Sequence, residues 1–237
     1  MTLQHVDILF QLIVFLLAIS VHESAHAWMA SRRGDPTARM LGRVSLNPIK
    51  HIDPVGTILL PAIALFAHIP MLGWAKPTPV DPRNFRNPVL DDIKTAVVGP
   101  ISNFVVASGA LLVLAGIALT SRMAAGFIQT IIYNYPRRMD ILAAQTQSWL
   151  MPICLLGYEM IVINIILGVF NLIPVPPLDG SHVLRHFLPE PVLKAYDTIG
   201  WLGLLALVYF GGGLLWRLIA PVLGIFESLL LVVVRSR

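Results

Sequence analysis

Long apolar stretches run through most of this 237-residue chain, separated by short segments rich in charged residues or proline. A helix needs about 20 consecutive apolar residues to cross a bilayer, and several of these stretches reach that length. Charged residues make up only 13% of the chain, about half of the roughly 25% that is usual in soluble domains. The pattern therefore predicts an integral membrane protein that crosses the bilayer several times.

Four apolar segments are candidates for the membrane helices. They lie at about 7–31, 94–120, 148–170 and 199–234, and the last is long enough for two short helices. We predict an all-α polytopic membrane protein with a three-helix core, a re-entrant or β-like loop, and about two additional C-terminal helices. The chain forms one continuous membrane domain, in which the core occupies 1–180 and a connector with the C-terminal helices occupies 181–237.

The region between the first two core helices does not fit a regular span. Residues 39–53 alternate partly between apolar and polar types and contain Pro48, which favours a short edge strand or an extended loop. Residues 55–69 are apolar but form a short block that contains Pro61, so they either re-enter the membrane or cross it. Residues 73–82 contain too many prolines for a regular helix.

The distribution of basic residues favours one topology. If 55–69 re-enters the membrane, 13 of the 17 lysines and arginines lie on one side, and the other side keeps Arg122, Arg137, Arg138 and Arg217. Because cytoplasmic loops carry the excess of basic residues, we predict a multi-pass protein of the cell membrane whose first helix ends on the cytoplasmic side. The net charge of +4 then reflects topology, and we expect no nucleic-acid partner.

The first apolar segment contains the sequence His22-Glu23-Ser24-Ala25-His26. On a helix, His22 and His26 project from the same face, so both imidazoles can bind a single metal ion. Glu23 lies about 100° further round the same turn, where its carboxylate can reach a metal-bound water. This pattern is typical of zinc hydrolases, and it predicts two metal ligands and a general base inside a membrane helix.

A catalytic zinc usually takes three protein ligands, and Asp179 is the best candidate for the third. It lies in a segment broken by prolines and followed by a glycine, where irregular backbone can line a cavity. An isolated carboxylate at membrane depth costs at least about 2.5 kcal/mol, so a divalent cation would compensate Glu23 and Asp179. The competing acids are Glu159, Glu227 and Asp7.

Several other polar residues have two interpretations. Asn171 either satisfies broken backbone or polarises a scissile carbonyl. Asn103 either hydrogen-bonds between helices or contacts substrate, and Lys76 either shapes a turn or contacts substrate. The histidines outside the motif are more typical of loops and interfaces than of ligand sets: His51, His68, His182 and His186.

Taken together, the motifs resemble the site-2 protease family of intramembrane zinc metalloproteases, in a compact form without an inserted PDZ or a CBS domain. The resemblance rests on H-E-x-x-H at 22–26, G-W-A-K-P-x-P-V at 73–80, G-P-x-x-N at 99–103 and N-x-x-P-x-P-x-L-D-G at 171–180. It implies one zinc ion per chain bound by His22, His26 and Asp179, with Glu23 as general base and Asn171 holding the substrate or its oxyanion.

The resemblance also implies a substrate that is itself a transmembrane protein, cut in or next to a membrane helix. A helical peptide bond is shielded, so the substrate must unwind, and an extended edge at 42–50 or 74–80 can capture the unwound strand. Two other kinds of protein would use the same residues without hydrolysis. One is a membrane metal-binding or transport protein, and the other is a scaffold that binds transmembrane helices.

Overall fold

The computed structural model describes residues 3–60, 73–135 and 148–236. These residues form eight α-helices: α1 Leu3–Arg33, α2 Thr37–Met40, α3 Pro88–Thr120, α4 Arg122–Asn134, α5 Leu150–Asn171, α6 Asp179–Arg185, α7 Glu190–Phe210 and α8 Gly212–Arg235. Two 3-10 turns, Pro48–Lys50 and Pro82–Asn84, and one π-helical turn, Pro54–Leu59, complete the regular structure. The described part of the chain contains no β-strand.

Four helical segments are long and apolar enough to cross a membrane: Leu9–Arg33, Pro88–Thr120, Leu150–Asn171 and Gly212–Arg235. A fifth span results if α7 is counted, whose halves Glu190–Thr198 and Leu202–Phe210 are bent by 62°. The prediction of an all-α polytopic membrane protein is therefore confirmed.

The described part of the loop between α1 and α3 does not contain the edge strand that was one of its two predicted forms. Residues 39–53 contain no strand, because Asn47 accepts a hydrogen bond from the Ile49 N–H and caps the 3-10 turn that begins at Pro48. The alternative of an irregular loop is the one observed. Of the predicted re-entrant segment, 55–60 lie in or next to the π-helical turn, and 61–69 lie outside the described residues.

Two helix boundaries also differ from the prediction. Helix α3 begins at Pro88 rather than at about 94, because Asn87 and Asp91 cap it: the Leu90 N–H donates to Asn87 Oδ1, and the Asn87 N–H donates to Asp91 Oδ2. Helix α4 was not expected within the polar segment 121–147. Its buried residues recur at helical spacing, which makes it amphipathic: Ala124, Ala125, Ile128 and Ile131.

The chain divides into two compact units. The first comprises Met1–Ala18, Asn103–Phe170 and Leu205–Arg237, and the second comprises Ile19–Ser102 and Asn171–Leu204. The apolar core of the first unit is formed by α3, α4, α5 and α8. All the residues predicted to bind metal, together with Glu23 and Asn171, belong to the second unit.

Two asparagines form a hydrogen bond between helices α3 and α5 in the first unit. Asn103 Nδ2 donates to Asn164 Oδ1 at 2.9 Å, and Asn164 Nδ2 donates to the Met160 carbonyl at 2.8 Å. Both asparagines are fully buried. Polar side chains commonly join helices in this way within membranes, so the contacts of Asn103 agree with its helix-packing interpretation.

Arg43 joins the two loops of the second unit. Its guanidinium donates to the carbonyl of Lys50 on one loop and to the carbonyls of Lys76 and Pro77 on the other. The Lys76 N–H in turn donates to the His51 carbonyl at 2.9 Å. Lys76 therefore contributes its backbone to the fold, as its turn-shaping interpretation requires, and residues 74–78 are held against the loop that follows α2.

Asp35 connects the end of α1 to the chain that leads into α3. Its buried carboxylate accepts hydrogen bonds from the Thr37 N–H and hydroxyl, the Asn84 amide and the Asp81 N–H. Burial raises the pKa of Asp35, but these hydrogen bonds lower it more, so the pKa lies below its ordinary value. The ionised form is thus the form that stabilises this connection.

Substitution of Asp35 by Asn should lower the free energy of unfolding at pH 7 by about 1–2 kcal/mol, because hydrogen bonds to a charged acceptor become hydrogen bonds to a neutral one. The folded pKa is depressed, so the stabilisation is complete above the unfolded pKa of about 3.9 and is lost as the pH falls through the folded pKa. Thermal unfolding in detergent at pH 7 and pH 3 tests this. An equal gap between wild type and variant at both pH values would contradict it.

Candidate metal centre

Three potential ligand atoms converge in the second unit. His22 Nε2 and His26 Nε2 lie 3.0 Å apart, and Asp179 Oδ2 lies 3.1 Å from the first and 3.4 Å from the second. Ligands at about 2.1 Å from a tetrahedral zinc ion are about 3.4 Å from one another. The spacing of the three atoms therefore fits three corners of a zinc tetrahedron. Among the described residues, this is the one group of at least three such side chains with metal-binding geometry.

Helix α3 orients His26. The Nδ1 atom of His26 lies 2.6 Å from the Thr95 carbonyl, and this contact assigns the ring hydrogen to Nδ1 and leaves the Nε2 lone pair for a metal. The two imidazole rings meet edge to face, with centroids 4.6 Å apart. Both histidines are buried, so their orientation is set by packing as well as by this hydrogen bond.

Gly99 provides the space in front of the two histidines. A Cβ atom at this position would lie 2.3 Å from His26 Nε2 and 2.7 Å from His22 Cε1. Both distances are far below van der Waals contact, so no larger residue fits without displacing an imidazole. The glycine thus lets the backbone of α3 approach both imidazoles closely.

Asp179 is brought to the histidines by a compact turn. It begins α6, directly after the proline-rich segment, and a Cβ on Gly180 would lie 2.3 Å from the Leu172 carbonyl oxygen. Burial raises the pKa of Asp179, but His26 and His22 lower it more, so the pKa lies below its ordinary range. Its buried Oδ2 is within ion-pair distance of both imidazoles without a well-aligned hydrogen bond. A cation would satisfy this acceptor.

Glu23 is held by the loop that precedes α3. Its Oε2 atom accepts hydrogen bonds from the Thr78 N–H at 2.9 Å and from the Thr78 hydroxyl at 2.7 Å. Arg43 also interacts electrostatically with Glu23, which partly offsets the lowering of the Arg43 pKa by burial. The carboxylate therefore has a fixed position beside the histidine pair on α1.

The other candidate residues occupy different positions. Asn171 is the last residue of α5 and is half-buried, and the backbone that follows it packs against Gly180. Glu159 and Glu227 belong to the first unit, where Glu227 accepts a hydrogen bond from the Tyr158 hydroxyl. Asp7 lies at the start of α1, far along that helix from His22.

Residues with clear structural roles at the centre were missed from the sequence. The sequence did not indicate a role for Thr78 or Thr95. Thr78 contacts Glu23 partly through its backbone, and Thr95 contacts His26 entirely through its backbone. Each contact joins residues that are more than 50 positions apart. Gly99 did stand within the G-P-x-x-N motif. Its role follows only from its distance to the histidines, so the motif alone did not reveal it.

An acid and two histidines could hold a metal ion, and a glutamate follows one of the histidines on a membrane-spanning helix, an arrangement that suits a membrane metal-dependent hydrolase. Residues 10–208 match the family model of Peptidase family M50, the family of the site-2 proteases, and the chain belongs to this family. Members of the family are zinc-dependent, and the protein is accordingly a multi-pass membrane metalloprotease that uses zinc.

A relative from Bacillus subtilis (strain 168) carries the name "Putative zinc metalloprotease YwhC". It is 33% identical over 217 residues, which cover 87% of this chain and 84% of the relative. No solved structure matches the chain.

Proposed function

We propose that this protein hydrolyses a peptide bond in or next to a transmembrane helix of a membrane protein, with one zinc ion bound by His22, His26 and Asp179. The observation that carries the proposal is the spacing of the three ligand atoms at 3.0, 3.1 and 3.4 Å. All the proposed ligands and Glu23 lie within 1–180, the proposed catalytic core, and the distribution of basic residues supports a site that faces the cytoplasm.

Held by His22, His26 and Asp179, a zinc ion would supply a water with its pKa lowered to about 7. Glu23 accepts the proton of the attacking water and passes it to the nitrogen of the departing amine. The Thr78 N–H and hydroxyl hold the Glu23 carboxylate, so that its position does not change between the two proton transfers. Asn171 supplies an amide that can hydrogen-bond to the scissile carbonyl or to neighbouring substrate backbone.

The loop at 73–81 is the proposed place where the unwound substrate strand binds. The N–H groups of Trp74, Lys76 and Thr78 already donate hydrogen bonds within the protein. Their acceptors are the Gly56 carbonyl, the His51 carbonyl and the Glu23 carboxylate, respectively. Pro77 and Pro79 have no N–H group, so a substrate strand beside this segment would supply most of the hydrogen-bond donors itself. Because Thr78 contacts Glu23, a strand bound along this loop would pass the general base.

The experiment that tests the function is a comparison of two membrane proteomes, one from cells with the wild-type protein and one from cells with Glu23→Gln. Transmembrane stubs should accumulate only with the variant, because their cleavage requires the general base. Identical sets of stubs in the two strains would contradict proteolysis. Identification of a stub would also give the substrate and the side of the membrane on which it is cut.

A further inference from the structure

A second pair of histidines contacts a buried aspartate close to the metal centre. Asp92 on α3 is 7% exposed. Its Oδ2 atom lies 2.8 Å from His186 Nε2, and its Oδ1 atom lies 3.5 Å from His182 Nδ1. His182 lies in α6, and His186 directly follows the helix with helical backbone angles, so the two side chains, four residues apart, share one face at its C-terminal end. Asp92 therefore contacts this end of α6 through both of its oxygens.

These contacts bear directly on Asp179, because Asp179 is the first residue of α6. The helix is only seven residues long, about two turns, so fixing His182 and His186 also fixes the rotation and axial position of Asp179. The compact turn before α6 constrains Asp179 at one end of the helix. The two-point contact of Asp92 with His182 and His186 adds a constraint at the other end.

The same face of α3 organises the histidine side of the centre. Asp92, Thr95 and Gly99 are spaced as residues i, i+3 and i+7, which places them on one stripe of the helix. Thr95 orients His26, and Gly99 leaves the space in front of both imidazoles. One stripe of α3 thus contacts the elements that carry all three proposed ligands.

We infer that Asp92 is a positioning residue for the metal centre: it holds α6 through His182 and His186 so that Asp179 meets His22 and His26 at tetrahedral spacing. This inference rests on the proposed function, since it assumes that the three residues bind zinc. Residues that orient metal ligands typically contribute 10- to 100-fold to metal affinity. We therefore expect Asp92→Ala to lower zinc affinity by that factor although Asp92 itself is not a ligand.

The test uses the full-length protein purified in detergent. Zinc affinity is measured by competition with a chromogenic chelator, and the visible absorption of the cobalt(II)-substituted protein reports the ligand geometry. Asp92→Ala should lower the affinity 10- to 100-fold and shift the cobalt bands, whereas Asp92→Asn, which keeps two hydrogen-bonding atoms, should lie between this variant and wild type. His182→Ala removes only one of the two contacts and should have a smaller effect than Asp92→Ala.

Asp91→Ala is the matched control. Asp91 precedes Asp92 and is also buried, but its carboxylate contacts the Asn87 N–H, Arg33 and Lys94 rather than α6. Its removal should reduce stability without a change in zinc affinity or in the cobalt spectrum. If Asp92→Ala binds zinc as wild type does, or if Asp91→Ala and Asp92→Ala lose affinity equally, the inference is wrong. Failure of the wild-type protein itself to bind zinc would instead contradict the proposed function.

Discussion

Glu23→Gln is expected to retain a full equivalent of zinc while losing peptide cleavage, with kcat reduced by about 10²- to 10⁴-fold, the usual contribution of a general acid or base. Glutamine has nearly the same shape as glutamate and can still accept hydrogen bonds from Thr78. It cannot take a proton from water, so the chemical step fails while the ligands stay in place. Zinc content and cleavage of a transmembrane substrate in liposomes are the two measurements.

A matched substitution separates this effect from the loss of any buried carboxylate. Glu227→Gln changes a glutamate that also lies on a membrane-spanning helix, but this one is hydrogen-bonded to Tyr158 in the first unit. We expect its cleavage rate to stay within a few-fold of wild type. If Glu23→Gln cleaves normally, Glu23 is not the general base. If the wild-type protein binds zinc but cleaves nothing, a metal-binding or transport protein that does not need a base becomes the better account.

Ligands on one helical element were the easiest part of the centre to predict. The spacing of His22 and His26 implies convergence as soon as the segment is known to be helical, and the length of the apolar stretch establishes that. Asp179 is 153 positions beyond His26 in the chain, and it was reached through the chemistry of a buried carboxylate in a broken segment and through the motif at 171–180. Its distance to the histidines depends on how α6 packs, which no local pattern encodes.

The errors in the predicted fold have local physical causes. Residues 121–147 contain arginines and polar residues, which masked the amphipathic face of α4; a search for uniformly apolar stretches does not detect such a helix. The N-terminus of α3 was missed because Asp91 and Asp92 look unsuited to a membrane helix. Asn87 and Pro88, which stand before them, are typical of a helix N-terminus and indicate the observed start of α3.

Gly99→Ala is expected to reduce zinc affinity by more than about 100-fold, beyond the usual effect of a residue that only orients a ligand. The added methyl group would lie 2.3 Å from His26 Nε2, the proposed ligand atom itself. Relief of this overlap requires the imidazole to rotate or α3 to move. Rotation breaks the contact of His26 with the Thr95 carbonyl, and movement of α3 displaces the carbonyl with it. Zinc content after dialysis and chelator competition measure the loss.

Gly109→Ala on the same helix makes the prediction specific to the site. A Cβ at Gly109 meets no atom within 4 Å, and alanine in place of glycine stabilises an exposed helix by up to about 1 kcal/mol. This variant should therefore bind zinc as wild type does and be at least as stable, whereas Gly99→Ala loses zinc although it makes the same chemical change. Asp179→Ala removes a proposed ligand, so its zinc affinity is the reference value for a disrupted centre. Zinc binding by Gly99→Ala at wild-type affinity would show that the ion does not occupy the space between His22, His26 and Asp179.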